Sequence, residues 1–356
     1  AHGIVCDIGG TSLEVAKIET GNVSNCNSAL LGPLALASQK TEVESYIASN
    51  VKGLRGAFSI EYPELFLVGG CWRAIARIHM NRTNYPLKIL NGYQITTKEA
   101  IETASWVSSQ TYVKLSEVLS SSLDRLTLLP SASKVLLELL NAFDPKIVTI
   151  SSYGLREGIL YSHLSKKVRQ LNPLIEACKN LEKSRARFPG FGRVLNDWIK
   201  PIFRNRGTSE NILYLAACHL HDTIWQAHPD YRAEMCYETV TRANLSGLNH
   251  EGRVFLALAL MCRYKSENIN RINKNAIKLL SKERIRDALI LGAAMRLGAM
   301  ISGAISSNLK QTKIYAKGGI LYLELKKSDQ FWGETVEKRF GALSDLMSLK
   351  PKIILD

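Results

Sequence analysis

IVCDIGGTSLEVAKI, residues 4–18, decides the reading of the first half of the chain. Apolar Ile4, Val5 and Cys6 lead to Asp7. Gly9 and Gly10 follow, then Thr11 and Ser12, and Glu14 enters a second apolar run. The pattern predicts two short strands, over 4–8 and 13–18, around a glycine turn. Glycine permits unusual dihedrals and a close approach of backbone to ligand. The N–H groups of Gly9 and Gly10 can then line an anion, and the Thr11 and Ser12 hydroxyls can donate to it. Asp7 would stand beside a bound phosphate, where Mg²⁺ commonly offsets the charge. Glu14 would orient water or the metal. An ordinary hairpin with glycines in its turn fits the same residues.

Working outward, ELFLVGG at 64–70 predicts a buried strand ending in Gly69 and Gly70, and WRAIARIHM at 72–80 a helix. Two strand–Gly–Gly turns in one domain would bracket a phosphate-bearing ligand at a sheet edge. Close strand–helix packing is the plainer account of Gly70. Arg73 and Arg77 lie four apart on one helical face, as surface residues or phosphate ligands. KIVTISSYG at 146–154 reads as another strand and LREGILYSHL as the helix after it. Helices are predicted over 40–58 and 97–123, with a further helix opened by Pro130. The first ~165 residues therefore alternate strand and helix, the pattern of an α/β domain with a largely parallel sheet.

After His163 the texture changes. Amphipathic helices are predicted over 211–226, 231–246, 251–264 and 284–306. KIYAKGGILYLELK at 313–326 reads as a β-hairpin around Gly318-Gly319, and a last helix covers about 330–348. No apolar run approaches ~18 residues, which argues against a transmembrane helix. The seven cysteines form no C-x-x-C pair and are odd in number, as in reduced cytosolic proteins. The net charge of +14 is concentrated. Residues 163–206 carry eleven Lys/Arg against three Asp/Glu, and residues 263–286 carry eight against two. Such a concentration favours polyanions, although a solvated helix face has the same composition.

Two further stretches are weighed. Arg156 and Glu157 open the helix after SSYG, where Arg156 suits an anion site or a carboxylate that locks two layers. His221-Asp222 lies in an apolar helix, and a neighbouring His and Asp can share a divalent metal. His219, His228 and His250 do not complete a defensible ligand set, so buried, hydrogen-bonded histidines are the expectation.

Together these segments resemble the exopolyphosphatase / guanosine pentaphosphate phosphohydrolase (Ppx/GppA) family, in its exopolyphosphatase branch. DIGGTSLE at 7–14 is similar to the family's second phosphate motif and VGG at 68–70 to its later glycine motif. LPSASKVLLELL at 129–140 and SSYGLREGILY at 151–161 match its characteristic segment. HLHDTIWQAHPDYRAE, LNHEGRVFLALA and RYK match its HD-like helical domain. The resemblance implies an α/β actin-like (ribonuclease-H-like) lobe over 1–165, an all-α HD-like domain over 166–306 and a small α+β unit over 307–356. It implies Mg²⁺-dependent hydrolysis of the terminal phosphoanhydride of inorganic polyphosphate, or of pppGpp. A polyphosphate-binding module without cleavage, and an HD-type metal phosphohydrolase, are the alternatives. Asp7 and Glu14 fall on the family's acidic positions, with Asp7 a Mg²⁺ ligand. Gly9, Gly10 and Ser12 fall on its phosphate loop, and Thr11 replaces the glycine usual there. Gly69 and Gly70 complete the phosphate-binding set. Lys166, Lys167, Arg169, Lys183, Arg185 and Arg187 are assigned to a polyanion channel. The resemblance also implies a cytoplasmic homodimer that uses neither a membrane nor a specific nucleic acid. The family's first phosphate motif and its water-activating glutamate have no counterpart in this chain, which is expected to carry half the active site.

Overall fold

The computed structural model describes residues 2–39, 42–58, 62–203, 207–265, 274–326 and 333–355. They form two compact units, 1–169 and 170–356.

The first unit opens with strands β1 (His2–Ile8), β2 (Leu13–Glu19) and β3 (Asn22–Ala29). Helices α1 (Pro33–Ala37) and α2 (Val43–Gly56) lead to β4 (Glu64–Val68) and α3 (Gly70–Arg82). Then come β5 (Tyr93–Thr96), α4 (Thr97–Ser108), α5 (Tyr112–Val118), α6 (Leu123–Phe143), β6 (Ile147–Ile150), α7 (Leu155–Ser162) and α8 (Lys166–Arg169). The six strands form one sheet in the order β3-β2-β1-β4-β6-β5. Only β1, β4 and β6 run parallel. β2, β3 and β5 pair antiparallel to their neighbours. The predicted largely parallel sheet is thus corrected to a mixed one. β1, β2 and β3 follow one another through short turns, and such turns can join only antiparallel strands.

Burial alternates along β1. Ile4, Cys6 and Ile8 enter the core, and Val5 and Asp7 sit half-buried on the other face. The core continues through Leu65 and Leu67 of β4, Val148 and Ile150 of β6 and Trp72, Ile75 and Ile78 of α3. α6 is long and apolar enough to cross a membrane, but its apolar stripe packs into this core through Leu129, Leu136 and Leu140. Pro130 lies inside α6 and does not open it, and the predicted 97–123 helix is broken at Ser109-Gln110. Thr111 caps the restart, its hydroxyl accepting from the Lys114 N–H.

The second unit is built from α9 (Pro173–Arg185), α10 (Phe191–Ile199) with a 3₁₀ turn at Lys200–Phe203, α11 (Thr208–Leu220), α12 (Arg232–Arg242) and α13 (His250–Tyr264). α14 (Lys274–Ile277), α15 (Lys282–Ser302) and α16 (Ser306–Leu309) follow. β7 (Lys313–Lys317) and β8 (Ile320–Leu325) form the predicted hairpin. After α17 (Glu334–Met347), β9 (Lys350–Leu355) runs parallel to β8. The hairpin is tied to the helices, since the Trp198 indole donates to Thr312 Oγ1 at 2.9 Å. α13 is buried on nearly all sides, which explains its weak polar face.

Candidate functional site

The parallel strands β1, β4 and β6 all point their C-terminal ends to one edge of the sheet. Asp7 is level with Val68, and Leu67 with Ile150. The turns after these strands are Gly9–Ser12, Gly69-Gly70 and Ser151–Gly154, so the three predicted motifs share that edge. The contacts are close. A Cβ on Gly69 would lie 2.5 Å from the Ile8 carbonyl oxygen, and Gly69 sits at φ +121°. Only glycine fits there. Gly32 backs the first turn as tightly, since a Cβ would come within 2.4 Å of the Thr11 backbone.

The first turn is fixed by three backbone hydrogen bonds. The Gly9 N–H donates to Ser12 O (2.9 Å), Gly32 N–H to Thr11 O (3.0 Å) and Leu34 N–H to Gly10 O (2.8 Å). The Gly9 N–H is therefore spent on the turn itself, a correction to its assignment as an anion donor. The N–H groups of Gly10, Thr11 and Ser12 donate to no carbonyl among the described residues. Three consecutive N–H groups left open in one turn can donate to an anion. The second turn adds the first turn of α3, whose N-cap Gly69 offers no side chain to its free N–H groups. The third turn behaves differently. The Glu157 carboxylate accepts the Gly154 N–H (2.8 Å) and its own N–H, which caps α7 internally. These bonds hold the Glu157 carboxyl below the usual range, with help from Arg156 and Arg73.

Asp7 and Glu14 are direct cross-strand partners, so both carboxylates lie on one face. Partial burial and the Glu14 charge raise the Asp7 pKa, and Arg73 opposes them. Ser12 Oγ donates to Glu14 Oε1 at 2.5 Å. No cluster of three or more His, Cys, Asp and Glu able to hold a metal occurs among the described residues. Mg²⁺ does not require one, because it commonly takes one or two carboxylates and completes its shell with water and substrate phosphates. A pair of facing carboxylates, one of them pushed toward protonation, fits that mode.

The polyanion residues divide between the units. Lys166, Lys167 and Arg169 form exposed α8, with Arg169 stacked over the Tyr161 ring at 5.9 Å. Lys183 and Arg185 are exposed in the last turn of α9. Arg187 is committed elsewhere. Its Nε and Nη2 donate to Asp222 Oδ2 (2.9 Å) and Oδ1 (2.6 Å) in a fork. Several cations of the 263–286 stretch are likewise committed within the chain or buried. Arg284 reaches Glu251 and Glu210, Arg286 donates to the Leu346 carbonyl, and Arg263 is buried. Residues 266–273 of that stretch lie outside the described residues.

The His-Asp stretch is closed. Asp222 is 2% exposed at its side chain and is held by Arg187, with Arg263 at 3.7 Å. Burial would raise its pKa, but the Arg187 hydrogen bonds and the Arg263 charge outweigh burial and lower it. His221 Nδ1 meets the Cys218 carbonyl at 2.8 Å, and burial with Arg263 pushes its pKa down to about 3. His219 Nδ1 meets Glu182 Oε2 at 2.5 Å, and Glu182 also accepts from Gly190 and Gly192 N–H. Guanidinium groups stand beside Asp222 where a divalent ion would be sought. The Arg187–Asp222 and Glu182–His219 pairs were missed because they link residues 35 and 37 apart. The Glu157 contact forms only half of a capping box, since Gly154 has no side chain to complete the sequence signature.

Residues 1–167 match the Ppx/GppA phosphatase family, and residues 174–354 match the model described as exopolyphosphatase, C-terminal. Among solved structures, the type II variant of the Aquifex aeolicus Ppx/GppA phosphatase is 19% identical, with a TM-score of 0.40. That match covers 46% of this chain and 58% of the other. An exopolyphosphatase from Cytophaga hutchinsonii is 16% identical over 45% of this chain and 56% of the other, with a TM-score of 0.41. The chain thus spans less than two thirds of the length of these relatives. No curated protein matches it.

Proposed function

The chain belongs to the Ppx/GppA phosphatase family, and on that premise we propose that it carries the phosphate-gripping site of an exopolyphosphatase. One observation carries the reading. The free N–H groups of Gly10, Thr11 and Ser12 share a sheet edge with the uncapped start of α3 and the Asp7–Glu14 pair. Condensed phosphate ends in a group with several anionic oxygens. Backbone donors and hydroxyls that are fixed before binding cost little reorganisation when they meet it.

In this reading the first lobe is the actin-like half of a two-lobed phosphatase, and the second unit holds an HD-like helical domain. The terminal phosphoryl oxygens take the Gly10, Thr11 and Ser12 N–H groups and the Thr11 hydroxyl. Ser12 turns its hydroxyl from Glu14 to the phosphate, which frees Glu14 to orient the attacking water and accept its proton. Asp7 is the residue that would hold Mg²⁺, which would supply charge neutralisation to the phosphoryl group when bound. The water oxygen bonds to phosphorus, the bridging P–O bond breaks, and the shortened chain leaves with the electron pair. Exposed Lys166, Lys167 and Arg169, in the same unit as the turns, hold the polyanion by charge.

The test is orthophosphate release from long-chain polyphosphate with Mg²⁺, by the wild type and Asp7→Asn. Release abolished by the substitution supports catalysis by this chain. Salt-sensitive binding of polyphosphate without release favours the binding module, whose support is the exposed cationic α8. Affinity that does not rise with chain length, together with release from pppGpp, favours the nucleotide substrate.

A further inference from the structure

We propose that Arg73 is a phosphate-binding residue, its guanidinium fork taking an oxygen pair of the substrate's terminal phosphoryl group at the Gly9–Ser12 turn. The inference rests on the phosphatase reading above and deepens it. Arg73 is the fourth residue of α3, within the helix's first turn. A cation there stands at the positive end of the helix dipole, a placement that costs free energy unless an anion shares it. The side chain is nonetheless held in place. It is half-buried, and its Nε donates to the Gly69 carbonyl at 3.1 Å.

That bond uses one of five donors and leaves the Nη1 and Nη2 edge. No carboxylate among the described residues forms an ion pair with that edge. Gly69, whose carbonyl holds Arg73, is packed against the Ile8 backbone, one residue before the Gly9–Ser12 turn. Arg73 therefore lies among the three turns, oriented by one backbone carbonyl, with its bidentate edge unspent. Glu157 makes no ion pair with it and turns its Oε2 to the Gly154 N–H instead. A phosphoryl group resting on the free N–H groups of Gly10, Thr11 and Ser12 supplies the missing anion, and a planar fork matches two of its oxygens. Arg77 has the same charge one helical turn on and is exposed, which makes it the internal control.

The experiment is calorimetric titration of the full chain with inorganic tripolyphosphate and Mg²⁺ at several salt concentrations. The variants are Arg73→Ala, Arg73→Lys, Arg77→Ala and Ser12→Ala, each with its melting temperature. Losing charge-assisted hydrogen bonds should weaken binding by about tenfold to a hundredfold in R73A. R73K should recover part of the loss, because charge returns without the fork. R77A should bind within about twofold of the wild type. The salt dependence of the affinity should fall in R73A and stay unchanged in R77A. A purely structural arginine would lower the melting temperature and leave the salt dependence alone. If S12A weakens binding while R73A equals R77A, this proposal falls and the phosphatase reading stands. If the wild type does not bind tripolyphosphate, both fall.

Discussion

Asp7 and Asp222 each sit within the influence of an arginine, and their carboxyls are driven in opposite directions. Asp7 is raised because burial and the facing Glu14 outweigh Arg73. Asp222 is lowered because Arg187 and Arg263 outweigh a deeper burial. The difference is one of completion. At the sheet edge the carboxylates face each other, the N–H groups of Gly10, Thr11 and Ser12 are unspent and Arg73 keeps a free edge. Around Asp222 the charge is answered within the chain, by Arg187 and Arg263. A site built to receive a ligand leaves its electrostatics unsettled, and a structural centre settles them.

The contrast predicts opposite responses to substitution. Arg187→Ala should show the largest effect. It strands a carboxylate that is 2% exposed, at a cost of about 3 kcal/mol read by urea denaturation. The estimate is at the low end because Arg187 is 44% exposed and Arg263 remains nearby. A change below 1 kcal/mol would mean that water, and not Arg187, solvates Asp222.

Gly69→Ala should follow, at about 2 kcal/mol, since it combines a strained φ with a Cβ 2.5 Å from the Ile8 oxygen. Gly9→Ala should cost far less, its Cβ meeting nothing nearer than 3.5 Å. Equal losses would show that the first turn is as constrained as the second.

His221 sharpens the comparison through pH. Its folded pKa, about 3, lies below its unfolded value of about 6.5. The unfolded chain therefore binds the proton more readily, and stability falls as pH drops from about 6.5 towards 3. His221→Asn should flatten that part of the stability profile, and an unchanged slope would assign it to other groups.

Asp7→Asn should have the smallest effect and the opposite sign. A raised carboxyl pKa means that ionised Asp7 destabilises the fold at neutral pH. The amide should leave stability unchanged or raise it by less than about 1 kcal/mol, while phosphate release is lost. Substantial destabilisation would make Asp7 a structural residue.

The sequence made the sheet edge legible because its parts are local. Strand, glycine pair and helix start fall within ten residues, so the sequence alone places Asp7, Gly10, Ser12 and Gly69 at strand ends and turns. Three strands were not seen, for three reasons. β3 is an exposed edge strand of polar residues with no apolar alternation. β5 has four residues. β9 begins Lys-Pro-Lys and gains its pairing only from β8, 30 residues earlier. The Gly9 N–H was misassigned because a free donor and one that closes a turn look alike in sequence. The destination of Arg187 was hidden too, since a run of basic residues says nothing of which member folds inward.

The Arg187–Asp222 fork has one more consequence. A cation carried on a side chain is supplied with the polypeptide, one per molecule, and no chelator can remove it. The guanidinium does not lose its proton at physiological pH. Treatment with EDTA should therefore leave this pair, and what it adds to the melting temperature, untouched.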